Sequence, residues 1–338
     1  MITRKRANLR QIADALGLSV TTVSRALKDG PEVRPATIAR VKAAARAAGY
    51  SPNAHGVALR TGRTHTLTVI LPLETQAYLA DLAKVPLIEG MTMAARQAGY
   101  TLSIHSVGSD DDQLAVLRHL HLSGGTDGVI ITRIVAQDPR LAFLAECDLP
   151  YVTFGRSDRS FDHAYVDIDN EAMAHHATSF LLARGHRRIG LQLLSREDLI
   201  SAARVRGFAQ AHADLGLPVD DPLFGYDHFT MMESETLFHR MLCDPHPPTA
   251  LICASELGLL GAASALRKRG LAPGTDVALV TRDTSRMTGF LALKALVHSV
   301  DMADIGRALV LSLIERIVTP GLPPRHVLMP GTFEEVGA

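Results

Sequence analysis

Between Asn8 and Tyr50, apolar residues recur at helical spacing and the breaks fall where helices end. Leu9, Ile12, Ala13 and Leu16 line one face of a first helix, and Gly17 follows as a natural left-handed terminator. Ser19 or its neighbour opens a second helix that turns Val23, Ala26 and Leu27 inward. Pro31 breaks the chain. Arg34-Pro35-Ala36-Thr37 then starts a third helix with Ile38, Val41, Ala45 and Ala48 on its inner face, closed by Gly49. From Leu67 the pattern changes. Short β-branched or apolar runs at 67–71, 101–106, 128–132, 151–154, 189–194, 250–253 and 277–281 alternate with helical stretches at 86–98, 111–122, 171–184 and 257–269. Such alternation predicts parallel sheets covered by helices, with sites at the carboxyl ends of the strands. It continues over roughly 250 residues, which predicts two lobes.

The 338 residues carry 35 Lys+Arg against 35 Asp+Glu, but the neutral total hides an asymmetry. Residues 1–63 hold twelve Lys/Arg and three acids, Asp14, Asp29 and Glu32, a formal +9 that leaves −9 on the remainder. A small basic head on a large acidic body is the charge pattern of a nucleic-acid-binding module joined to something else. A hydrophobic fraction of 47% is enough for a large core and excludes general disorder. No apolar run reaches the ~18–20 residues of a membrane span. The basic start, Met1-Ile-Thr-Arg-Lys-Arg-Ala, leads into no apolar segment, so no secretory signal is expected. Cys147, Cys243 and Cys253 are far apart, with no C-x-x-C spacing, and read as reduced thiols of a cytoplasmic protein.

Two short helices joined by a tight glycine turn, with a third burying their apolar faces, make a helix-turn-helix. Its second helix exposes Val20, Thr21, Thr22, Ser24 and Arg25. Short hydroxyl and methyl side chains let a helix approach the groove floor, and one arginine reaches a guanine edge bidentately. A plain three-helix bundle would share the periodicity, but not the charge or the exposed small residues beside Arg25.

The run Asn8-Leu-Arg-Gln-Ile-Ala-Asp-Ala-Leu-Gly-Leu-Ser-Val-Thr-Thr-Val-Ser-Arg-Ala-Leu, followed by Val41-Lys-Ala-Ala-Ala-Arg-Ala-Ala-Gly-Tyr-Ser-Pro-Asn53, closely resembles the headpiece of LacI/GalR-family transcriptional repressors. The resemblance implies that Val20, Thr21 and Arg25 read bases in the major groove. It implies that Asn8, Ser19, Thr22, Ser24, Thr37, Tyr50 and Asn53 hold the phosphate backbone. It also implies a hinge helix at 53–60 that orders on operator binding, with Leu59 wedged into the minor groove, where an apolar wedge unstacks a base step and bends the duplex. Gly56 lies inside that hinge, where glycine costs ~1 kcal/mol relative to alanine. Val20 replaces the polar residue of many members, so their base preference is not carried over.

The body resembles the periplasmic-binding-protein-like effector domain of the same family, most clearly at Asp169-Asn170, Arg184-Gly-His-Arg-Arg-Ile-Gly190 and Arg204-Val-Arg-Gly-Phe208. The implied fold is α/β: an all-α helix-turn-helix headpiece (1–63) followed by a two-lobed effector-binding and dimerisation domain (64–338) with parallel sheets. The family pattern has the chain crossing between lobes near Val166, Ser299 and Val318, with a sugar-sized cleft between them. By the same resemblance Arg204 forks onto ligand hydroxyls, a role suited to its planar donors. Asp283 accepts hydroxyl hydrogens, Arg156 stands beside the pocket, and Ser255 occupies a position where relatives carry an amide. Ser255-Glu256 and Thr281-Arg282 depart from the usual residues at their places.

Other classes fit less well. Gly155-Arg-Ser-Asp-Arg159 lacks the second glycine of a nucleophile elbow, and no phosphate-binding P-loop is present. His119 and His121, or His175 and His176, are spaced so that neither pair shares a helix face, and no metal or cofactor is expected. A sugar-binding transport protein or a sugar-acting enzyme on the same body fold would have no use for the basic head. The expectation is a DNA-binding regulator, a homodimer on pseudo-palindromic double-stranded DNA, controlled by a small carbohydrate.

Overall fold

The computed structural model describes residues 8–50, 62–72, 82–108, 112–158, 162–196, 198–219, 223–226 and 230–337. The chain divides into two units, Met1–Thr64 and His65–Ala338. The first contains α1 (Leu9–Leu16), α2 (Val20–Ala26) and α3 (Pro35–Ala47). Asn8 and Gln11 cap α1 reciprocally: the Gln11 N–H donates to Asn8 Oδ1 at 2.9 Å, and the Asn8 N–H to Gln11 Oε1 at 3.0 Å. Two otherwise orphaned amides are thereby satisfied. Gly17 ends α1 at φ +67°, and the Leu18 N–H returns to the Ala13 carbonyl at 2.9 Å. Ser19 caps α2, and Pro35 takes the first position of α3, where a missing N–H costs nothing. Ile12, Ala13, Val23, Ala26, Val41 and Ala45 form the core. Ala48, expected on the inner face, is exposed instead. It is the C-cap of α3, one position past the last helical residue, so helical periodicity no longer aims it inward.

A Cβ on Gly17 would meet nothing within 4 Å, so Gly17→Ala costs only its left-handed backbone. Destabilisation of the N-terminal unit by about 1–2 kcal/mol is expected. Hydrogen exchange of the α1 and α2 amides measures it, and unchanged protection would contradict the turn assignment.

Among its described residues the second unit holds two six-stranded sheets. One is built from β1 (Thr66–Pro72), β2 (Thr101–Val107), β3 (Gly128–Thr132), β4 (Tyr151–Phe154), β5 (Tyr165–Ile168) and the late strand β11 (His326–Met329), in the order β11-β5-β4-β3-β1-β2. All its pairings are parallel. The other takes β6 (Ile189–Leu193), β7 (Phe224–Tyr226), β8 (Ala250–Cys253), β9 (Ala278–Arg282), β10 (Ala295–Ser299) and β12 (Thr332–Val336), in the order β12-β10-β9-β8-β6-β7. Only β10–β12 is antiparallel. Every residue of β3, β6 and β8 is buried, as a sheet covered on both faces requires. The covering helices of the first lobe are α4 (Lys84–Gln97), α5 (Gln113–Ser123), α6 (Pro139–Ala145) and α12 (Met302–Val318). Those of the second are α7 (Asn170–Ala183), α8 (Leu199–Ala213), α9 (Met231–Leu242), α10 (Glu256–Lys268) and the short α11 (Met287–Phe290). The α/β class and the two lobes expected from the alternation are both present.

The chain crosses between lobes after β5 and again after β10, close to the expected Val166 and Ser299. The third crossing is not at Val318. Helix α12 packs on α4 through two glycines: a Cβ on Gly90 would lie 2.0 Å from the Ala303 carbonyl oxygen, and one on Gly306 2.2 Å from that of Leu87. That contact keeps the end of α12 in the first lobe, and β11 then pairs with β5 of the same lobe. The crossing falls at Pro330-Gly331, between β11 and β12.

Candidate functional site

In the N-terminal unit, α2 buries Val23 and Ala26 and turns Val20, Thr21 and Arg25 to solvent, with Thr22 and Ser24 half-buried. Ser19 is exposed while its Oγ accepts from the Thr22 N–H at 3.0 Å and sits 2.8 Å from Thr22 Oγ1. Asn8 is exposed at the start of α1, where the peptide dipoles favour an anion such as phosphate. Thr37 and Tyr50 are half-buried, Tyr50 against the helical core. Asn53, Gly56 and Leu59, with the rest of the expected hinge at 53–60, lie outside the described residues. One contact had no counterpart in the sequence reading: Arg25 Nε lies 3.2 Å from Glu32 Oε1.

In the second unit, a cavity of about 160 Å³ lies between the lobes. Its walls follow strand ends: Leu71 and Pro72 on β1, Thr132 and Arg133 at the end of β3, Phe154 and Gly155 at the end of β4, and Asp167 and Ile168 on β5 face Leu194, Asp198, Ser255 and Arg282 of the second lobe. Val135 and Asp198 form an isolated backbone bridge between the lobes. Arg204, one turn into α8, is 6% exposed and lines the cavity. Its Nε donates to Asn170 Oδ1 at 3.2 Å, and its two terminal nitrogens have no hydrogen-bond partner among the described residues. Burial draws its pKa down to about 10, with the charge of Arg282 adding and Asp198 opposing, so it stays cationic at neutral pH. A buried guanidinium with unused donors is built to receive acceptors.

Of the four effector residues expected from sequence, Arg204 and Ser255 reach the cavity wall, and Arg156 and Asp283 do not. Ser255 caps α10, its Oγ accepting from the Gly258 N–H at 3.2 Å. Arg156 donates from Nε to Asp167 Oδ2 at 2.8 Å and approaches Asp169 at 3.6 Å, an ion pair beside the first crossing. Burial pushes the Asp167 carboxyl up despite that arginine. The Asp283 carboxylate accepts from the Ser285 N–H and Oγ, the Met287 N–H and the Thr288 N–H, at 2.7–3.3 Å. Burial alone would raise its pKa, but those bonds outweigh it and hold the group below the usual range. It therefore shapes the loop that carries α11. Asn170 and Asp198 were absent from the expected set. The Asp169-Asn170 pair at a strand end was the available signal for Asn170, and nothing local marks Asp198.

A larger groove of about 860 Å³ runs behind the crossings, but its wall is mostly apolar and lacks the converging donors of the interlobe cavity. His298, 3% exposed, borders it, and its ring meets Phe333 at 4.7 Å. Burial, then the charges of Arg204 and Arg282, with His176 adding, lower its pKa to about 4. The unfolded chain takes up this proton near the ordinary histidine pKa of ~6.5, before the folded protein does. Its contribution is present above that value and lost as the pH falls toward the folded value. Between about pH 7 and about pH 5.5 the loss is expected to be about 1 kcal/mol. Raised Asp167 acts in the opposite sense and Asp283 titrates lower, so comparison with His298→Gln isolates the effect. Parallel denaturation curves for variant and parent across this range would refute it.

Residues 8–53 match the sequence profile described as bacterial regulatory proteins, lacI family, and residues 64–334 match periplasmic binding proteins and sugar binding domain of LacI family. The chain is 35% identical to the HTH-type transcriptional regulator AglR of Rhizobium meliloti over 277 residues, covering 82% of this chain and 77% of that protein. It is 32% identical to the HTH-type transcriptional regulator RafR of Escherichia coli, covering 82% and 81%. Among solved structures, the transcriptional regulator CelR–cellobiose complex superposes with TM-score 0.75 at 26% identity, covering 98% of this chain and all of that one. The Lac repressor dimer bound to operator has the same fold, with TM-score 0.83 at 21% identity, covering 98% of each chain. Among the described residues no helix is long and apolar enough to cross a membrane. A helix-turn-helix unit matching one profile and a two-lobed body matching the other place this chain in the LacI family of DNA-binding transcriptional regulators.

Proposed function

We propose that the protein represses carbohydrate-utilisation genes from the cytoplasm, binding a pseudo-palindromic operator as a homodimer and releasing or holding it in response to a small sugar between its lobes. It performs no chemistry on that sugar. The DNA face comprises Asn8, Ser19, Val20, Thr21, Thr22, Ser24, Arg25, Thr37 and Tyr50, continued by Asn53 and Leu59. The observation that carries the effector half is Arg204: a buried cation on the wall of the interlobe cavity whose terminal donors have no acceptor among the described residues. Polyol hydroxyls accept from such a fork and donate to the carboxylates and carbonyls around it. Ser255, Asn170, Asp198 and Arg282 complete the contact set, while Asp283 and Arg156 act by holding a loop and a crossing. The sugar bound in the CelR complex supports this ligand class. The cavity of about 160 Å³ is below the ~300 Å³ of ordinary ligand pockets, so a sugar parts the lobes to enter. A ligand that binds the two lobe arrangements unequally shifts DNA affinity, and the coupling is reciprocal.

The test is a thermal-shift screen of the full chain against mono- and oligosaccharides, followed by operator titration with and without each hit. A ligand at about 100 times its Kd adds ~2.7 kcal/mol of stability. The reading fails if no sugar shifts the melt or changes operator affinity, and turnover of a bound sugar would make the protein an enzyme.

A further inference from the structure

The N-terminal unit concentrates positive charge, yet one of its three acids lies against the residue read as the base-contacting arginine. Glu32 lies seven positions after Arg25, beyond the turn that closes α2. The Gly30 N–H donates to the Arg25 carbonyl at 3.0 Å and the Val33 N–H to the Gly30 carbonyl at 2.9 Å, folding the chain back on the helix end. Gly30 leaves room for the return: a Cβ there would lie 3.0 Å from Glu32 Oε2 and 3.1 Å from the Arg25 carbonyl oxygen. The carboxylate thus comes to rest at the Nε edge of Arg25, and Nη1 and Nη2 have no partner among the described residues.

An exposed ion pair of this kind adds little to stability, since both groups remain solvated. An acid facing a polyanion also weakens binding to any DNA. Its use therefore has to be sought at the interface. Guanine offers O6 and N7 to two arginine donors, and that contact discriminates only when the guanidinium meets the base edge in plane. A carboxylate at the Nε edge restrains rotation about the last side-chain bonds and leaves the two terminal nitrogens as the reading pair.

We propose that Glu32 is a specificity-determining residue that orients Arg25 end-on to its base. Glu32 touches no base itself and acts through Arg25, so the assignment rests on the reading of Arg25 as a base contact. It trades general DNA affinity for discrimination at one symmetric position of each half-site.

The experiment uses the full chain and a random duplex library to select the operator. Competition binding of wild type, Glu32→Gln, Glu32→Ala, Arg25→Ala and the double variant to that operator, its single-base variants and unrelated DNA then follows. Glu32→Ala is expected to lower discrimination at the Arg25 position about tenfold while raising affinity for unrelated DNA. Glu32→Gln keeps an acceptor oxygen and removes the charge. It should raise affinity for unrelated DNA equally but retain part of the discrimination, a separation that a merely structural role would not produce. In the Arg25→Ala background, Glu32→Ala should change discrimination no further. The proposal is overturned if Glu32→Ala discriminates like wild type while Arg25→Ala has lost the preference. It is equally overturned if Glu32→Ala alters a position that Arg25 does not read, which would make Glu32 a base contact. Should Arg25→Ala itself return the unchanged motif, the reading of Arg25 fails first, and that result is distinct from the other two.

Discussion

Arg204→Ala is expected to weaken sugar binding by more than ~2 kcal/mol, about thirtyfold, and to leave operator binding unresponsive at effector concentrations that switch the wild type. Among the described residues the guanidinium has one bond, to Asn170, and its terminal donors are unused in a cavity lined by strand ends of both lobes. Removing it leaves the ligand's acceptors without the donors of a buried side chain, and the cost of a buried unpaired group exceeds the net worth of the bond it replaces. Arg204→Lys separates charge from geometry, because an ammonium has no planar fork to meet two neighbouring hydroxyls. It should recover little of the loss. Calorimetry with the sugar found by screening measures both variants. Wild-type affinity in Arg204→Ala would move the effector out of the cavity.

Gly207→Ala is expected to destabilise the body by about 2–3 kcal/mol, with the sign opposite to that of an ordinary helix substitution. Within a helix, alanine is favoured over glycine by ~1 kcal/mol. Here the added Cβ would lie 2.1 Å from the Glu171 carbonyl oxygen and 2.9 Å from the His175 nitrogen, both backbone atoms of α7 that no side-chain rotation removes. The helices must separate, and overpacking of that kind costs typically 1–3 kcal/mol, sometimes more. Gly207 is one turn from Arg204 on α8, while Asn170 opens α7. The displacement therefore also lengthens the Arg204–Asn170 bond. A lower melting temperature together with weaker sugar binding is the expected pair of results. A variant at least as stable as wild type would show that α7 and α8 are not in contact at this point.

Much of the fold was legible because its determinants are local. Caps at Asn8 and Ser19, Pro35 at the first position of α3, the left-handed Gly17 and the apolar spacing around Val23 and Val41 each act within one or two helical turns. A single pass along the chain therefore finds α1, α2 and α3. The buried strands β3 and β8 read directly as apolar runs for the same reason. Three of the four edge strands were harder. The half-exposed β11 and β12 carry no continuous apolar signal, and β7 is three residues long. The place of Pro330-Gly331 as the third crossing depends on α12 locking to α4 through Gly90 and Gly306, positions more than two hundred residues apart in the chain.

The same division runs through the site. A resemblance attached to a short motif brought Arg204 and Ser255 to the wall of the interlobe cavity in advance. What their neighbours leave available was decided by tertiary packing alone. Asp283 and Arg156 occupy the expected positions, yet their polar atoms are taken up by Ser285 and Thr288 in one case and by Asp167 in the other. Asp198 enters the cavity only because α8 begins opposite Val135 of the other lobe. A side chain's chemistry is written in its residue type, but whether its lone pairs and protons remain free depends on groups brought within about 3 Å by folding. Sequence determined the modules and the kinds of contact they make; only the packed structure decided which of their polar atoms the protein's own groups take up.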